Sequence, residues 1–220
     1  MRIKVSENGP YKVDKEIPLG REEIRQNEEG ECCCWKKTGK VETKGEYHLC
    51  RCGQSKEKPF CDGSHETTGF VADDAETSEK YQDGAQEFEG SNLTLCDKRK
   101  LCASARFCDR AGSAWNLIEQ KDTNSEKILK EEVHDCPSGR LTLKDKTGKV
   151  VEQKYDESIS LTEDKPAGVS GPVWVKGGIE IESSDGKKYE KRNRVTLCRC
   201  GKSKNKPFCD GSHIVTGFKE

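Results

Sequence analysis

Short runs of alternating apolar and polar residues occur twice along the chain, each around a Gly-Pro pair. The first covers residues 7–19 and reads ENGPYKVDKEIPL, and the second covers residues 170–181 and reads SGPVWVKGGIEI. Alternation with a period of two after a turn signal is typical of a short β-strand. The pattern therefore predicts two copies of a strand that follows a Gly-Pro turn.

A second predicted strand in each copy leads into a cysteine-rich loop. Residues 47–49 and 194–197 supply these strands, each of which ends at a Cys-x-Cys sequence. A Thr-Gly-Phe sequence follows each loop, at residues 68–70 and 216–218. The predicted unit is a strand, a variable connection, a second strand and a loop, and the chain contains it twice.

Polar, turn-rich segments separate the two copies from a middle segment of about residues 88–151. Residues 73–86 predict one linker and residues 156–166 predict another. The predicted domains are residues 1–72 for the first repeat, 73–160 for the linker and middle domain, and 161–220 for the second repeat.

Composition argues against a large apolar core. Leu, Ile, Val and Phe supply only 38 of 220 residues, whereas 13 residues are cysteine. The net charge of −1 predicts neither a nucleic-acid surface nor a basic membrane patch. No apolar signal segment stands at the N-terminus and no stretch approaches 18 apolar residues, so we expect a reducing, cytoplasmic setting. This composition fits small modules that are stabilised by a bound metal.

Two nearly identical loops carry the strongest chemical signal. Residues 49–65 read LCRCGQSKEKPFCDGSH, and residues 197–213 read LCRCGKSKNKPFCDGSH. Each has the spacing C-x-C-x8-C-x3-H, and thiolate with imidazole in so compact a run indicates a soft or borderline metal. The candidate ligands are Cys50, Cys52, Cys61 and His65 in the first loop, and Cys198, Cys200, Cys209 and His213 in the second.

Two kinds of metal site fit this residue set. Three cysteines and a histidine are an ordinary structural zinc set, but zinc pairs are usually spaced C-x2–4-C, which is wider than C-x-C. Two sulfide-bridged irons would each accept one pair, Cys50 with Cys52 and Cys61 with His65. The spacing favours a [2Fe-2S] cluster, with zinc as the alternative.

Residues around the ligands predict local structure. Cys61 and His65 are four apart and are expected on one face of a helical turn, which Asp62 would cap, as Asp210 would in the second copy. The Ser55 hydroxyl is a candidate donor to cluster sulfur or a turn residue, and Ser203 is its counterpart.

The two loops resemble the CDGSH iron-sulfur domain, the mitoNEET-like family. The family pattern C-x-C-x2-S/T-x3-P-x-C-D-G-S/A/T-H is matched in full twice, with Pro59 and Pro207 as its prolines. The resemblance implies one [2Fe-2S] cluster per copy, held by three cysteines and one histidine. It also implies a small α+β fold, β-rich, loop-rich and metal-stabilised, whose two β-cap units form an intramolecular pseudo-dimer. A swapped dimer is the alternative.

The middle segment has four further cysteines, Cys96, Cys102, Cys108 and Cys136. The sequences LCASARFC and CPSGRL are similar to the divergent single-cluster ferredoxin-type domain, which implies a small ferredoxin-like α+β insert with a [4Fe-4S] or [3Fe-4S] cluster. Six-residue steps would splay the first three cysteines around a helix or spread them about 20 Å apart on a strand. Either the segment is broken near Lys100 or Ser104, or one cysteine is not a ligand. A zinc or purely structural cysteine set is the alternative.

Two features remain beside these sites. His134 is a candidate ligand, although a neighbouring histidine that binds no metal is the simpler interpretation. The triple Cys32, Cys33 and Cys34 alternates faces on a strand, so it cannot serve one ion without a sharp turn. We interpret the triple as surface thiols, with Trp35 as a packing anchor, and a redox pair or an entry point for iron or sulfur as alternatives.

No nucleophile-base pair, phosphate loop or carboxylate dyad accompanies the cysteines. The leading hypothesis is therefore a carrier for electron or cluster transfer, whose partner is a redox protein or an apo-protein cluster acceptor. Imidazole ligation predicts a raised reduction potential and proton-coupled redox. A redox enzyme or subunit that uses these clusters and a zinc-stabilised interaction module are the alternatives.

Overall fold

The computed structural model describes residues 1–220, and most of its regular structure is short strands. The first repeat contains β1 (Arg2–Val5), β2 (Tyr11–Val13), β3 (Leu19–Gln26), β4 (Cys32–Val41), β5 (Tyr47–Leu49) and the helical turn α1 (Ser64–Thr67). The middle domain contains β6 (Gln86–Glu89), β7 (Leu93–Asp97), α2 (Ala114–Leu117), α3 (Thr123–Asp135), β8 (Leu141–Asp145) and β9 (Val150–Val151). The second repeat contains β10 (Ser158–Asp164), β11 (Val169–Lys176), β12 (Glu180–Glu182), β13 (Arg194–Leu197) and α4 (Ser212–Val215).

The two repeats share their sheets. A four-stranded sheet has the order β12-β1-β2-β5, and a five-stranded sheet has the order β13-β11-β10-β3-β4. Both strand pairings between the repeats are parallel: Ile181 of β12 pairs with Ile3 of β1, and Leu161 of β10 pairs with Arg21 of β3. Seventeen buried apolar residues from both repeats form one hydrophobic core. The repeats therefore fold as one body, although the middle domain separates them in sequence.

The middle domain has a sheet and a core of its own. Strands β6-β7-β8-β9 form the sheet, and nine buried apolar residues from this sheet, α3, α2 and the residue after α2 form the core. Helix α3 begins after Asp122, whose carboxylate accepts hydrogen bonds from the backbone N–H groups of Asn124 and Ser125. The domain is anchored to the second repeat by buried Arg194 of β13, which donates to the Val133 carbonyl at 2.9 Å.

Several predicted elements agree with the structure. Strands β5 and β13 have the predicted bounds, and β2 begins directly after the first Gly-Pro pair. The second pair, Gly171 and Pro172, lies inside β11 instead of in a turn. The predicted first linker, residues 73–86, lies outside every helix and named strand except for Gln86, which begins β6.

The prediction of a second linker over residues 156–166 is wrong. This stretch contains β10, which lies inside the five-stranded sheet between β11 and β3. Its apolar residues Ile159 and Leu161 are buried in the shared core. The flanking charges and Pro166 resemble a linker locally, whereas the strand β3 that buries this segment lies far away in the sequence.

None of the helices is both long enough and apolar enough to span a membrane.

Candidate metal centres

Each of the two cysteine-rich loops brings its four candidate ligands together as two close pairs. In the first loop the Sγ atoms of Cys50 and Cys52 are 3.7 Å apart, and Cys61 Sγ is 3.4 Å from Nδ1 of His65. In the second loop the corresponding distances are 3.8 Å for Cys198 with Cys200 and 3.5 Å for Cys209 with His213. No group of three or more such side chains in the structure has the convergence that a single metal ion requires.

The first cysteine of each loop is prepared to bind metal as a thiolate. The hydrogen bond from Cys52 lowers the pKa of Cys50 to about 6, with further help from the backbone N–H groups of Ser55 and Gly53. The same arrangement around Cys198, in which Cys200 is the hydrogen-bond partner, lowers the pKa of Cys198 to about 6. Thiolate is the form of cysteine that binds metal.

Histidine in the second loop is held as a neutral base. Burial lowers the pKa of His213 to about 4, and the positive charges of Arg199 and Arg106 act in the same direction. Neutral imidazole is the form that binds metal. His213 and Cys198 are thus in their metal-binding forms at neutral pH, whereas burial raises the pKa of Cys209, so binding of a metal there must displace the thiol proton.

The predicted accessory residues stabilise the loops through backbone contacts. The Ser55 hydroxyl donates to the Phe60 carbonyl at 2.6 Å, and Ser203 donates to Phe208 at 2.7 Å. The structure therefore places both hydroxyls as turn residues that hold the loop, and the Ser55 backbone N–H is the group that acts on Cys50.

Asp62 lies one residue before the N-cap position that the sequence predicts for it. Gly63 occupies the N-cap position of α1, and Cys61 lies before the turn instead of on its face. The Asp62 carboxylate instead accepts from the backbone N–H groups of Lys56 at 2.8 Å and Ser64 at 2.9 Å. These hydrogen bonds hold the pKa of Asp62 well below its usual range.

Asp210 repeats this arrangement in the second loop. Its carboxylate accepts from the backbone N–H groups of Lys204 at 2.8 Å and Ser212 at 3.0 Å, and Gly211 is the N-cap of α4. In both loops the aspartate closes the segment between the second and third cysteines.

The two loops contact each other reciprocally. Gly53, which follows Cys52, packs on the backbone of Cys200, and Gly201, which follows Cys200, packs on the backbone of Cys52. A Cβ atom at either glycine would overlap the facing carbonyl. The two candidate metal centres are therefore neighbours across one backbone contact.

Two buried arginines that the sequence analysis missed lie between the ligand cysteines. Arg51 donates to the Ser6 carbonyl at 3.0 Å, and its guanidinium lies 5.9 Å from the Phe70 ring centroid. Arg199 is buried as well, and its guanidinium lies 5.7 Å from the ring of Phe218. In each repeat, the arginine of Cys-Arg-Cys lies near the phenylalanine of Thr-Gly-Phe. The sequence indicates this contact only through the fact that both short sequences occur in both repeats.

Tyr11 connects the first repeat to the second loop. Its buried hydroxyl donates to the Cys198 carbonyl at 2.8 Å. Tyr11 pairs with Leu49 in β5 as Val173 pairs with Leu197 in β13, so Val173 occupies the corresponding position without a hydroxyl. The two sites therefore differ in this supporting contact.

The middle domain brings three of its four cysteines together. Cys102, Cys108 and Cys136 line one small pocket. The segment is broken near the two residues that the cysteine spacing indicated. A short 3-10 turn ends at Leu101, and Ser104 has a positive φ of 55°. This break lets Cys102 and Cys108 face the same space despite their six-residue separation.

Cys96 does not line this space. It lies within β7, opposite Thr142 of β8, and its Sγ atom is 3.8 Å from a carboxylate oxygen of Glu87. The prediction that Cys96 belongs to the same ligand group is therefore wrong, and the group contains three cysteines.

Arg140 is a further residue that the sequence analysis did not select. It is buried, with Nε and Nη2 donating to the carboxylate of Asp97 at 2.6 and 2.7 Å. Its Nη1 atom lies 3.3 Å from Cys102 Sγ and donates to it. A fixed positive charge beside the thiol favours an anionic centre, and the CPSGRL sequence contains this arginine.

The other candidates lie outside the ligand groups. His134 does not line the three-cysteine space. Cys32 packs with Ile24 and Phe107, while Cys33 and Cys34 lie at a bulge of β4 with their Sγ atoms 3.5 Å apart.

Trp35 is a packing anchor, as predicted. Its ring centroid lies 5.0 Å from those of both Phe107 and Trp174. It therefore joins the middle domain to the five-stranded sheet.

Comparison with known protein families gives matches to three stretches of the chain. Residues 8–66 and 170–214 match the family described as iron-binding zinc finger, CDGSH type, and these stretches contain both four-ligand loops. Residues 88–146 match the family described as divergent 4Fe-4S mono-cluster, and this stretch contains the three grouped cysteines. No curated protein and no solved structure matches the chain.

Proposed function

The chain belongs to the CDGSH iron-binding family, with a divergent 4Fe-4S mono-cluster domain between its two CDGSH regions, and from this we propose an iron-sulfur carrier with three clusters. Each CDGSH loop holds one [2Fe-2S] cluster through three cysteines and one histidine. Cys102, Cys108 and Cys136 hold a [4Fe-4S] or [3Fe-4S] cluster. When bound, such clusters supply one-electron redox chemistry.

The division of the ligands into two pairs carries this proposal. A single zinc ion draws four ligands to one point, whereas two bridged irons take one pair each. Both loops have a pair of thiols at 3.7 to 3.8 Å and a thiol-imidazole pair at 3.4 to 3.5 Å. The same division in two loops supports a two-iron centre over zinc.

In the middle domain, the donor set and its charge support a cluster. Three thiols around one open space are soft ligands that suit iron-sulfur centres, and Arg140 offsets negative charge beside Cys102. Cys96 has no place in this set because it faces Glu87.

The two repeats form an intramolecular pseudo-dimer in this proposal. Shared sheets, one common core and the reciprocal contacts of Gly53 and Gly201 support it. Because both halves lie in one chain, no second copy is needed to complete either loop.

The proposed role is electron or cluster transfer to a protein partner, which is a redox protein or an apo-protein acceptor in the cytoplasm. The imidazole ligand with solvent access makes the redox step proton-coupled in this proposal, whereas burial keeps His213 neutral. Of the two histidines, His65 has solvent access, with 17% of its side chain exposed, whereas His213 is buried.

The test combines a spectrum with a transfer assay. Protein purified without oxygen should be red-brown, and mixing it with an apo-ferredoxin and, separately, with an oxidised redox protein should show whether a cluster or only an electron moves. A colourless protein that contains stoichiometric zinc would contradict cluster binding. A coloured protein that transfers neither, yet turns over a substrate, would contradict the carrier role.

A further inference from the structure

The middle domain contacts only one of the two CDGSH turns. Gly211 of the second copy lies against the Ser104 side chain, and a Cβ atom there would be 3.3 Å from the Cys102 carbonyl oxygen. Gly63, at the same position of the first copy, has nothing within 4 Å of its Cβ position. The two glycines have nearly the same left-handed φ, 87° and 86°, so only their surroundings differ.

Further contacts hold the middle domain over the second copy. Asn205 donates from its side-chain amide to the Lys100 carbonyl at 3.2 Å. Arg106 donates to the Asp164 carboxylate of β10 at 2.7 Å. The loop of residues 102–106, which we name the cover loop, is therefore fixed at both ends.

The first two cysteines are buried in both copies, but the third cysteine and the histidine differ in burial between the copies. Cys209 and His213 in the second copy are each 3% exposed. Their counterparts in the first copy, Cys61 and His65, are only partly buried. Two loops of nearly identical sequence thus differ in access to solvent because only one of them is covered.

Cys102 lies next to both the three-cysteine space and Gly211 of the second CDGSH loop. Its thiol lines the three-cysteine space, while its carbonyl faces Gly211, two residues after the ligand Cys209. One layer of backbone therefore separates the centre of the middle domain from the second CDGSH site.

We propose that the cover loop makes the second CDGSH site internal to the chain and leaves the first site as the one that meets the partner protein. This inference rests on the proposed function, since it assigns different roles to two loops that both bind clusters. The partner is a redox or cluster-acceptor protein that contacts the open turn around Gly63 and His65. The cover loop also links the second site to the three-cysteine site.

The test is a site-resolved measurement of cluster release from the holoprotein. Anaerobic protein is incubated with an iron chelator and sampled into iodoacetamide, and peptide mass spectrometry measures how fast Cys61 and Cys209 become alkylated. We expect Cys61 to react at least about fivefold faster than Cys209, because covered groups require local opening.

Matched glycine variants test the cause. Gly211→Ala places a methyl group on Ser104 and should bring the alkylation rate of Cys209 close to that of Cys61. Gly63→Ala imposes the same backbone strain in open space, so its effect on Cys61 should be smaller than that of Gly211→Ala on Cys209. Adding Ser104→Gly to Gly211→Ala removes the side chain that the methyl group meets and should partly restore protection of Cys209.

Outcomes separate this inference from the function on which it rests. Equal alkylation rates for Cys61 and Cys209 in coloured wild-type protein would overturn the inference and leave cluster binding intact. Equal effects of Gly63→Ala and Gly211→Ala on their own sites would overturn the role of the cover loop. Protein without visible absorbance before the chelator is added would overturn both proposals.

Discussion

In the proposed clusters, His65 and His213 set the charge of the CDGSH sites. A site with a neutral imidazole carries one negative charge fewer than a site with four thiolates. The smaller negative charge favours the reduced cluster. His65 and His213 occupy the same place in their loops but differ in burial.

Replacing either histidine by cysteine should therefore lower the midpoint potential of that site. For His65→Cys and for His213→Cys we expect a fall in the midpoint potential on the order of 100 mV, measured by potentiometric titration. Only His65→Cys should also weaken the dependence of the potential on pH, because buried His213 stays neutral. Gln54→Lys is the control, since Lys202 already stands at that position in the second loop. A potential that stays at the wild-type value in both histidine variants would refute the role of imidazole.

Glu132 is an unpaired carboxyl group inside the middle domain. It is fully buried on α3, and neither carboxylate oxygen has a hydrogen-bond partner. Burial raises the pKa of Glu132 to about 8. The folded state therefore binds this proton more tightly than the unfolded state, and the stability that it contributes is lost as pH rises toward and through 8.

Glu132→Gln should stabilise the protein above pH 5, by about 1–2 kcal/mol at pH 8, because it removes the cost of a buried charge. Thermal unfolding of anaerobic holoprotein at pH 5 and pH 8 measures the effect, which should be larger at pH 8. Glu131→Gln on the exposed face of the same helix is the control. A gain that is the same at both pH values would show that ionisation of Glu132 is not its cause.

Among the strands and loops, local patterns predict the metal loops better than the sheets around them. Strands β5 and β13 are read correctly because each ends at a cysteine pair within a few residues. Strand β10 is missed because its burial depends on β3, which lies in the other repeat. The sequence also could not separate Cys96 from the other three cysteines, since only the end of β7 and the break at Ser104 decide which thiols meet.

The reciprocal contact of the two Cys-x-Cys-Gly loops should tolerate no side chain. Gly53→Ala and Gly201→Ala each place a Cβ on the backbone of the facing loop, and we expect each to cost at least about 2 kcal/mol and to reduce the iron retained after purification. Gly69→Ala is the control, because Gly69 also has a positive φ, of 65°, but lies in open space. If Gly53→Ala retains as much iron as Gly69→Ala, the two loops are not in contact.

For the molecule as a whole, both CDGSH sites are completed within one chain. The shared sheets join β1 to β12 and β3 to β10, so the first and second repeats are held together across the inserted domain. We therefore expect a monomer with a mass near 24.6 kDa in light scattering after gel filtration. A stable dimer that dissociates only on unfolding would indicate that these strands are exchanged between two chains.

The most direct test of the three-cluster account is the iron and acid-labile sulfide content of anaerobic protein. Two [2Fe-2S] clusters and one [4Fe-4S] cluster predict about eight iron atoms and about eight sulfides per chain, or about seven iron atoms if the third cluster is [3Fe-4S]. Cys102→Ser should lose about three to four iron atoms, whereas Cys96→Ser should lose none. Four or fewer iron atoms in the wild-type chain, or equal losses in the two variants, would contradict the account.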